Sequence, residues 1–371
     1  MRGPAVRPIV IAAGGTGGHF FPAEAVAAEL IARGRRIALL TDARSAGAKS
    51  PVFAGREQFV IHGAGLAGRG ALRAGRAILS LAAGAAEARV ILKRIGAACV
   101  LGFGGYPCVA PALAAWLLRE GPPVILHDQN AVLGRANRIL ARHADMLALS
   151  FATTQRVPAS ASRCVTGNPV RASIVQLGEH SYAPPNGMVN VLVLGGSLGA
   201  RIFSDVVPAA LRALPEDLRL RVSLRQQCRP EDLDRVRAAY AADGVEAELA
   251  AFFPDVAAQL ERAHLVIARA GASTVAELAV AGRPAILVPL PGAIDDHQSA
   301  NARALSDAGA ARVIAQHDLN PSLLAEVLSA LLRYPDTMVR AARAARSIAR
   351  PEAALRLADL VESLMRQEVG T

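Results

Sequence analysis

The stretch PIVIAAGGTGGH, residues 8–19, decides the fold of this chain. It opens with an apolar run rich in Ile and Val, as a buried parallel strand does, and a glycine-rich turn follows. A helical pattern then runs from about Pro22 to Arg33. Strand, glycine turn and helix in this order open a nucleotide-binding α/β domain. Because VNVLVLGGSLGA at 189–200 repeats the order, the sequence predicts two such domains.

Both halves continue as alternating strands and helices, which predicts parallel sheets covered by helices. The fold class is therefore α/β, with two Rossmann-like domains facing across a cleft. A polar, proline-containing stretch at 178–190 suits a linker. The further candidate strands are 36–41, 98–101, 124–127 and 146–149 in the first half, and 218–224, 249–252, 265–268, 285–288 and 311–314 in the second.

Composition excludes several classes of protein. With 371 residues, 52% hydrophobic and 19% charged, the chain is neither disordered nor fibrous. No apolar run is long enough to span a bilayer, and the apolar run at 9–13 is too short for a signal peptide, so a cytoplasmic protein is expected. The spacing of the four cysteines fits neither a metal site nor a disulfide framework, and they are expected to be reduced and mostly buried.

Charge is unevenly distributed along the chain. Residues 1–170 hold 20 Lys and Arg against 8 Asp and Glu, a net +12, whereas 171–371 hold 21 against 23, a net −2. The basic half predicts contact with an anionic surface, either nucleic acid or phospholipid. A coding bias explains arginine in place of lysine but leaves this asymmetry unexplained.

The glycine turns suit phosphate groups, because they expose backbone N–H groups at the positive end of a helix. The dinucleotide fingerprint fails, since Phe20 stands where its third glycine is needed. Asp42, after the second strand, keeps a dehydrogenase alternative open at this point. A third cluster, GFGGYP at 102–107, and the polar run HDQN at 127–130 each follow a strand, where loops meet at a shared site.

The second half carries features of a nucleotide-sugar site. The segment RAGAST, 269–274, enters a helix that carries Glu277, and Gln298 follows the next strand. Ser, Thr and backbone amides at a helix start suit a phosphate, and a carboxylate one turn later can accept hydrogen bonds from a ribose diol. Gln298 offers both a donor and an acceptor to a sugar hydroxyl.

Taken in order, these motifs resemble the MurG family, the UDP-N-acetylglucosamine–N-acetylmuramyl-(pentapeptide) pyrophosphoryl-undecaprenol N-acetylglucosamine transferases. The resemblance covers nearly the whole chain and implies a GT-B architecture. It implies an N-terminal acceptor and membrane-facing domain at 1–170, with the helix at 351–371 packing back on it, and a C-terminal UDP-GlcNAc domain at 171–350. The matching motifs are 14–19, 102–107, 127–130, 167–171, 195–200 and the region 271–298.

The resemblance implies an inverting transfer of GlcNAc from UDP-GlcNAc to the MurNAc 4-hydroxyl of lipid I, which forms lipid II in peptidoglycan synthesis. His19 is the candidate general base because histidine exchanges protons near neutral pH, and Asp128 is the competing base. The substrate-binding residues that it implies are Thr16, Gly17, Gly18, Asn130, Arg171, Ser197, the backbone at Phe253, Ala272, Ser273, Thr274, Glu277, His297 and Gln298, with Gly104, Gly105 and Tyr106 on the acceptor side.

No cofactor or metal is expected to be obligatory, because Arg171 and a helix N-terminus can stabilise the departing UDP. The Asp-x-Asp at 232–234 lies in a charged helical run and is expected on a solvated face. Two departures from the family stand out: Asp128 replaces the usual Glu, and 224–229 lacks the family's usual pattern.

The resemblance also implies peripheral binding to the cytoplasmic face of the inner membrane, partners in cell-wall synthesis or division, and no nucleic acid. The helix-like stretch 69–94 is the predicted membrane contact, with arginines around Leu72, Ile78, Leu79 and Leu81. Two alternatives remain: a related GT-B transferase with another UDP-sugar or glycolipid acceptor, and a basic nucleic-acid-binding protein.

Overall fold

The structure is a computed structural model that describes residues 7–14, 17–43, 50–61, 71–196 and 199–367, with the backbone alone over 71–78 and 366–367. The chain divides into two compact units. Unit 1 is Met1–Arg171 with Glu352–Thr371, and unit 2 is Ala172–Pro351. The division falls one residue after the boundary suggested by the sequence.

Unit 1 is built on a parallel sheet. In the described residues this sheet has seven strands in the order β3-β2-β1-β4-β5-β6-β7. Its central strands are buried on both faces, which explains their continuous Val, Ile, Leu and Ala. Its strands and helices are β1 (Ile9–Ala12), α1 (Gly17–Ala32), β2 (Ile37–Asp42), β3 (Glu57–Ile61), α2 (Ala71–Ile95), β4 (Cys99–Gly102), α3 (Tyr106–Trp116), β5 (Val124–Asp128), α4 (Arg135–Leu140), β6 (Met146–Leu149) and β7 (Arg163–Val165).

Unit 2 repeats this plan with a parallel sheet of six strands among its described residues, in the order β10-β9-β8-β11-β12-β13. Short 3-10 turns lie at Pro230–Asp232 and Ile294–Asp296. Its strands and helices are α5 (Ala172–Glu179), β8 (Val189–Leu194), α6 (Arg201–Arg212), α7 (Glu216–Arg219), β9 (Val222–Gln227), α8 (Leu233–Ala242), β10 (Glu246–Ala250), α9 (Val256–Arg262), β11 (Leu265–Ala268), α10 (Ala272–Ala281), β12 (Ala285–Leu287), α11 (His297–Asp307), β13 (Ala311–Val313), α12 (Pro321–Arg333) and α13 (Asp336–Ser347).

The last helix, α14 (Ala353–Gln367), belongs to unit 1. It buries Leu357 and Val361 in the same core as β1 and α1. Ion pairs flank this contact, with Arg33 2.6 Å from Asp359 and Arg35 2.6 Å from Glu362. The end of the chain therefore completes the core of the first unit.

The strand order reverses direction between β1 and β4 in unit 1, and between β8 and β11 in unit 2. In open parallel sheets, ligands bind beyond the carboxyl ends of the strands at this reversal. The loops that leave β1 and β4 are the first and third glycine clusters, and those that leave β8 and β11 are 195–200 and 269–271. The fold therefore brings the predicted motifs of each unit together.

Several details differ from the sequence-based predictions. Strands β3 and β7 were not predicted, and 218–224 is not one strand, because a helical turn, α7, precedes β9. The stretch 178–190 is no linker between units, since it lies inside unit 2 between α5 and β8. The four cysteines form no disulfide with one another in the structure, and three of them are buried.

Candidate active site

In unit 1 the site begins at the N-terminus of α1. Gly17 and Gly18 start this helix, and a Cβ on Gly17 would lie 2.8 Å from Cε2 of Phe21, so a side chain at this position would displace the Phe21 ring. Thr16, the third residue predicted in this loop, lies outside the described residues. His19 follows in the first turn of α1, half-buried, on the loop side of the sheet.

The His19 ring lies against the backbone of the third glycine cluster. A Cβ on Gly104 would be 3.6 Å from His19 Nδ1, and one on Gly105 would be 3.6 Å from its Nε2. Both glycines have left-handed φ angles, +82° and +68°, which other residues rarely adopt. Tyr106 begins α3 beside them. The predicted acceptor-side residues and His19 therefore form one cluster.

Behind His19 lies a chain of buried hydrogen bonds from the HDQN run. Gln129 Oε1 lies 2.8 Å from His19 Nδ1, and Gln129 Nε2 lies 3.1 Å from His127 Nδ1. His127 Nε2 lies 3.0 Å from the carbonyl oxygen of Gly167. Burial lowers the pKa of His127 to about 4. His127 is therefore neutral at neutral pH.

Asp128, the competing base, faces its own loop. Its Oδ1 accepts a hydrogen bond from the N–H of Asn130 at 3.0 Å. Its Oδ2 accepts from the N–H of Gly134 at 2.9 Å and from Nδ2 of Asn137 at 3.0 Å. Burial raises the pKa of Asp128, and these hydrogen bonds oppose that shift. The carboxylate organises the turn that leads into α4, which also fixes the backbone of Asn130.

Arg171 lies at the end of unit 1, and its guanidinium Cζ is 4.9 Å from the centre of the Phe21 ring. A contact of this kind orients an arginine while its charge is retained. The sequence-based boundary put Arg171 in the second domain, whereas the structure groups it with unit 1.

In unit 2 the loop after β8 is held by Gln227. Its Oε1 accepts from the N–H of Gly195 at 3.1 Å, and its Nε2 donates to the carbonyl of Gly196 at 3.0 Å. Gln227 lies in the segment 224–229, to which the sequence assigned no role, so this contact was missed. Ser197 lies outside the described residues.

The N-terminus of α10 offers backbone N–H groups. Gly271 precedes it in extended conformation, and no side chain caps it within the described part of the chain. Ala272, Ser273 and Thr274 form its first turn, and Glu277, which is 8% exposed, lies four residues after Ser273 on the same face. An uncapped helix start suits a diphosphate, and the carboxylate suits a diol.

The loops around α10 are joined by amide side chains of α11. Gln298 Oε1 accepts from the N–H groups of Ala270 at 3.2 Å and Leu290 at 2.9 Å, and Asn301 Nδ2 donates to the carbonyl of Ala270 at 3.1 Å. Gln298 thus uses its amide oxygen within the protein. His297 Nδ1 donates to the Ile294 carbonyl at 2.8 Å, which leaves Nε2 as an acceptor.

The structure refines the prediction for Phe253 and corrects the one for the Asp-x-Asp at 232–234. Phe253 is buried at 4% exposure, whereas its neighbour Phe252 is 63% exposed, so Phe253 can offer a ligand its backbone only. The Asp-x-Asp at 232–234 is not simply a solvated face, because Asp232 is buried. Its carboxylate pairs with Arg235 at 2.8 Å, which lowers the pKa of Asp232.

Arg269, at the end of β11, is a further residue that the sequence did not single out. Its Nη1 donates to the carbonyls of Val288 at 3.1 Å and Pro289 at 3.3 Å, and its Nη2 donates to Gln316 Oε1 at 2.6 Å. It therefore fixes the start of the loop that carries His297. Only its place in the motif 269–274 could have signalled this.

Comparison with known proteins identifies the class. The N-terminal domain of glycosyltransferase family 28 matches residues 9–149, and the C-terminal domain of that family matches 190–361. The chain belongs to glycosyltransferase family 28. The predicted α/β class with two Rossmann-like domains of the GT-B type is thereby confirmed.

Relatives narrow the comparison to one kind of transferase. A Granulibacter bethesdensis protein is 61% identical over 97% of this chain and 94% of the relative. An Acidiphilium cryptum protein is 54% identical over 100% of both chains. Both are named UDP-N-acetylglucosamine–N-acetylmuramyl-(pentapeptide) pyrophosphoryl-undecaprenol N-acetylglucosamine transferase.

Solved structures agree with this comparison. The crystal structure of Acinetobacter baumannii MurG is 31% identical and covers 96% of this chain and 99% of its own, with a TM-score of 0.78. The kitacinnamycin glycosyltransferase, 18% identical with a TM-score of 0.69, shares the fold. The resemblance to the MurG family is confirmed.

Proposed function

We propose that this protein transfers GlcNAc from UDP-GlcNAc to the MurNAc 4-hydroxyl of lipid I with inversion, forming lipid II. The observation that carries the proposal is the identity of 61% and 54%, over nearly the whole chain, to relatives whose names state the donor UDP-N-acetylglucosamine and the N-acetylmuramyl-(pentapeptide) pyrophosphoryl-undecaprenol acceptor. The site geometry supports it unit by unit.

Unit 2 binds the donor in this proposal. The diphosphate takes hydrogen bonds from the uncapped N-terminus of α10 at 272–274, and Ser197 and Arg171 add further donors. Glu277 accepts hydrogen bonds from the ribose hydroxyls, and the backbone of Phe253 reads the uracil. His297 Nε2 and the amino group of Gln298 meet GlcNAc hydroxyls, since the rest of each polar group is already held by the protein.

Unit 1 binds the acceptor and supplies the base. The loop 16–18, Asn130 and the cluster Gly104, Gly105 and Tyr106 position the acceptor sugar and its diphosphate. His19 Nε2 takes the proton of the attacking 4-hydroxyl as the new bond to the anomeric carbon forms. UDP departs from the opposite face, and the helix N-terminus and Arg171 stabilise its charge, so no metal or other cofactor is obligatory.

The proposal includes a location. No helix in the described part of the chain is long and apolar enough to cross a membrane. The protein binds peripherally to the anionic cytoplasmic face of the inner membrane, where its lipid-linked acceptor lies. There it works with cell-wall and division proteins, through which it contributes to cell shape, and it does not bind nucleic acid.

One transfer assay tests the function. Radiolabelled UDP-GlcNAc, UDP-glucose and UDP-GalNAc are each offered with a lipid I analogue, and transfer is expected from UDP-GlcNAc alone. Faster transfer from another donor would assign the protein to a related transferase with a different UDP-sugar. Absence of transfer from all three donors would remove the proposal.

The assignment of the base has its own test. His19→Ala is expected to lower turnover by roughly 10²–10⁴-fold with little change in UDP-GlcNAc affinity, because only proton transfer is lost. Asp128→Asn is the comparison, since it keeps the size of the side chain. If His19→Ala retains full turnover while Asp128→Asn abolishes it, the base is Asp128.

A further inference from the structure

The buried hydrogen-bond chain behind His19 ends in a group that can only accept. His127 Nε2 lies 3.0 Å from the carbonyl oxygen of Gly167. A carbonyl has no proton to donate, so the proton of the neutral imidazole sits on Nε2. His127 Nδ1 is therefore a lone pair that faces Gln129.

Two acceptors fix the orientation of the Gln129 amide. Its nitrogen lies 3.0 Å from the carbonyl of Phe103 and 3.1 Å from His127 Nδ1. Both partners accept, so this end of the amide must be the NH₂ group. Its oxygen is then turned to His19 Nδ1 at 2.8 Å, and that nitrogen must carry the proton.

We propose that Gln129 and His127 are positioning residues, which hold neutral His19 in the Nδ1–H tautomer so that Nε2 is the unprotonated nitrogen. The inference rests on the proposed function in one respect, namely that His19 is the base. The tautomer itself follows from the contacts whatever the reaction. Nothing in the sequence assigned such a role to Gln129.

Burial makes the arrangement rigid. His127 is 0% exposed and Gln129 is 1% exposed. Burial also lowers the pKa of His127 to about 4, so its Nδ1 remains an acceptor at working pH. If His127 were charged, both ring nitrogens would donate and the Gln129 amide would have to turn.

The chain orients His19 and does not carry protons away. When Nε2 takes the proton of the acceptor hydroxyl, the ring becomes an imidazolium whose Nδ1–H still donates to Gln129 Oε1. An amide oxygen is too weak a base to take that proton. The proton therefore stays on His19 until it passes to solvent or product.

The first experiment reads the tautomers directly in the wild-type protein. Two-bond ¹H–¹⁵N spectra of the full chain, labelled at its eight histidines, distinguish the two tautomers of each ring. The signals of His19 and His127 are assigned by their loss in His19→Gln and His127→Gln. At neutral pH His19 is expected as Nδ1–H and His127 as Nε2–H. The opposite tautomer at either ring would overturn the inference.

The second experiment removes the amide. Gln129→Met keeps the length of the side chain but cannot accept the Nδ1 proton, so the Nε2–H tautomer becomes populated. We expect kcat to fall by about 10–10³-fold while the KM for UDP-GlcNAc changes by less than about 2-fold. Gln58→Met is the matched control, since Gln58 donates to the Phe53 carbonyl at 2.8 Å, on the edge strand β3 of the same unit. Wild-type kcat in Gln129→Met, together with slowed transfer in His19→Ala, would overturn the inference.

Failure of the inference and failure of the proposed function give different results. If the spectra show the expected tautomers and Gln129→Met shifts them, but neither Gln129→Met nor His19→Ala slows transfer, the tautomer assignment stands and the role in catalysis is overturned. If no donor sugar is transferred at all, the proposed function is lost, while the tautomers remain measurable.

Discussion

Burial of the His127 imidazole ties the stability of unit 1 to pH. The unfolded chain binds a proton at this residue below its ordinary pKa of 6.5, whereas the folded protein does so only below about 4. As pH falls through this window the unfolded state gains the proton first, so the free energy of unfolding decreases. Over the whole window the loss amounts to about 3 kcal/mol.

We therefore expect wild-type protein to lose about 2 kcal/mol more stability than His127→Gln between pH 7.5 and pH 5. Trp116, the single tryptophan, lies in α3 of unit 1, and its fluorescence reports urea unfolding of that unit. Asp128 contributes the opposite slope because burial raises its pKa, but it is present in both proteins. Equal losses in the two proteins would contradict the neutral, buried state of His127.

Glu277 allows a test of the donor site at a single residue. Its carboxylate is buried on α10 near the helix start, and in the proposed function it accepts charge-assisted hydrogen bonds from the ribose diol. Glu277→Ala should weaken UDP binding by about 1–3 kcal/mol in calorimetry. Glu326→Ala, which removes an exposed glutamate from α12, is the control. Equal UDP affinity in both variants would remove Glu277 from the site.

At the scale of elements, helix α10 has, among the described residues, no side-chain cap at its N-terminus and a glycine cap at its C-terminus. At its C-terminus Gly282 has a left-handed φ of +63°, and the N–H of Arg283 donates to the carbonyl of Leu278 at 3.0 Å. This is a glycine C-cap, in which backbone N–H groups beyond the helix donate hydrogen bonds to its last carbonyls. The Arg346 side chain of α13 packs directly over Gly282.

Gly282→Ala should therefore lower the free energy of unfolding more than the same change at a helix end where no atom lies close to the new methyl group. Gly244 follows α8 with a φ of +65°, and a Cβ there would meet no atom within 4 Å, whereas a Cβ on Gly282 would lie 2.8 Å from Arg346 Cγ. Both substitutions cost about 1–2 kcal/mol for the backbone angle. We expect about 1 kcal/mol extra at Gly282, measured by hydrogen exchange of β11, because the long side chain must move.

The extra cost should disappear when Arg346 is truncated. In an Arg346→Ala background, Gly282→Ala and Gly244→Ala are expected to cost the same within about 0.5 kcal/mol. A persistent excess at Gly282 would mean that backbone atoms, and not Arg346, resist the new methyl group.

The sequence predicted those elements whose pattern is strong and local. Strands β1, β4, β8 and β11 are buried apolar runs followed by glycine, and their prediction was right. Strand β7 has three residues at a sheet edge, and β3 alternates between half-buried and exposed, so neither has a continuous apolar run. The prediction of a strand at 218–224 was wrong at its start. The alternation of Leu218 and Leu220 is typical of a strand, but Leu218 belongs to a helical turn.

The site residues were likewise predictable only where a local sequence pattern marks them. The glycine clusters and the HDQN run could be assigned to the ends of strands from sequence alone, because parallel sheets collect those ends at one edge. The direction in which each polar side chain points could not be predicted from the sequence. The Gln129 amide is oriented by the carbonyl of Phe103 and, through His127, by the carbonyl of Gly167, both distant in sequence. Asp128 turns into its own loop, where it accepts a hydrogen bond from Asn137.

At the scale of the whole molecule, the net positive charge lies in the first half of the chain. Along α2, Arg89, Lys93 and Arg94 are exposed, and Leu79 and Val90 are exposed at 71% and 67%. Leu81 is half-buried and packs against the core of unit 1. The other side chains proposed for membrane contact, at 69–78, lie outside the described residues. Each basic residue at an anionic surface contributes about 1 kcal/mol, so electrostatics should dominate binding.

Vesicle co-sedimentation tests this surface. Binding is expected to phosphatidylglycerol-containing vesicles but not to neutral ones, and salt should release the protein. Replacing Arg73 and Arg76 with Glu should weaken binding, whereas replacing Arg340 and Arg343 on α13, the same charge change in unit 2, should not. Equal binding to neutral and anionic vesicles, or equal effects of the two double variants, would argue against membrane contact through α2.

Helix α14 has a consequence for the order of events during synthesis. The ribosome completes residues 1–171 first, yet the buried Leu357 and Val361 that finish their core emerge only after all of unit 2. At about 5–20 residues per second, the 180 residues of Ala172–Pro351 take roughly 9–36 s to make. During that interval the apolar side chains of β1 and α1 that share a core with Leu357 and Val361 lack the cover of α14. The domain synthesised first is thus the last to mature, and a chaperone that shields these side chains would act on the growing chain and not on the finished protein.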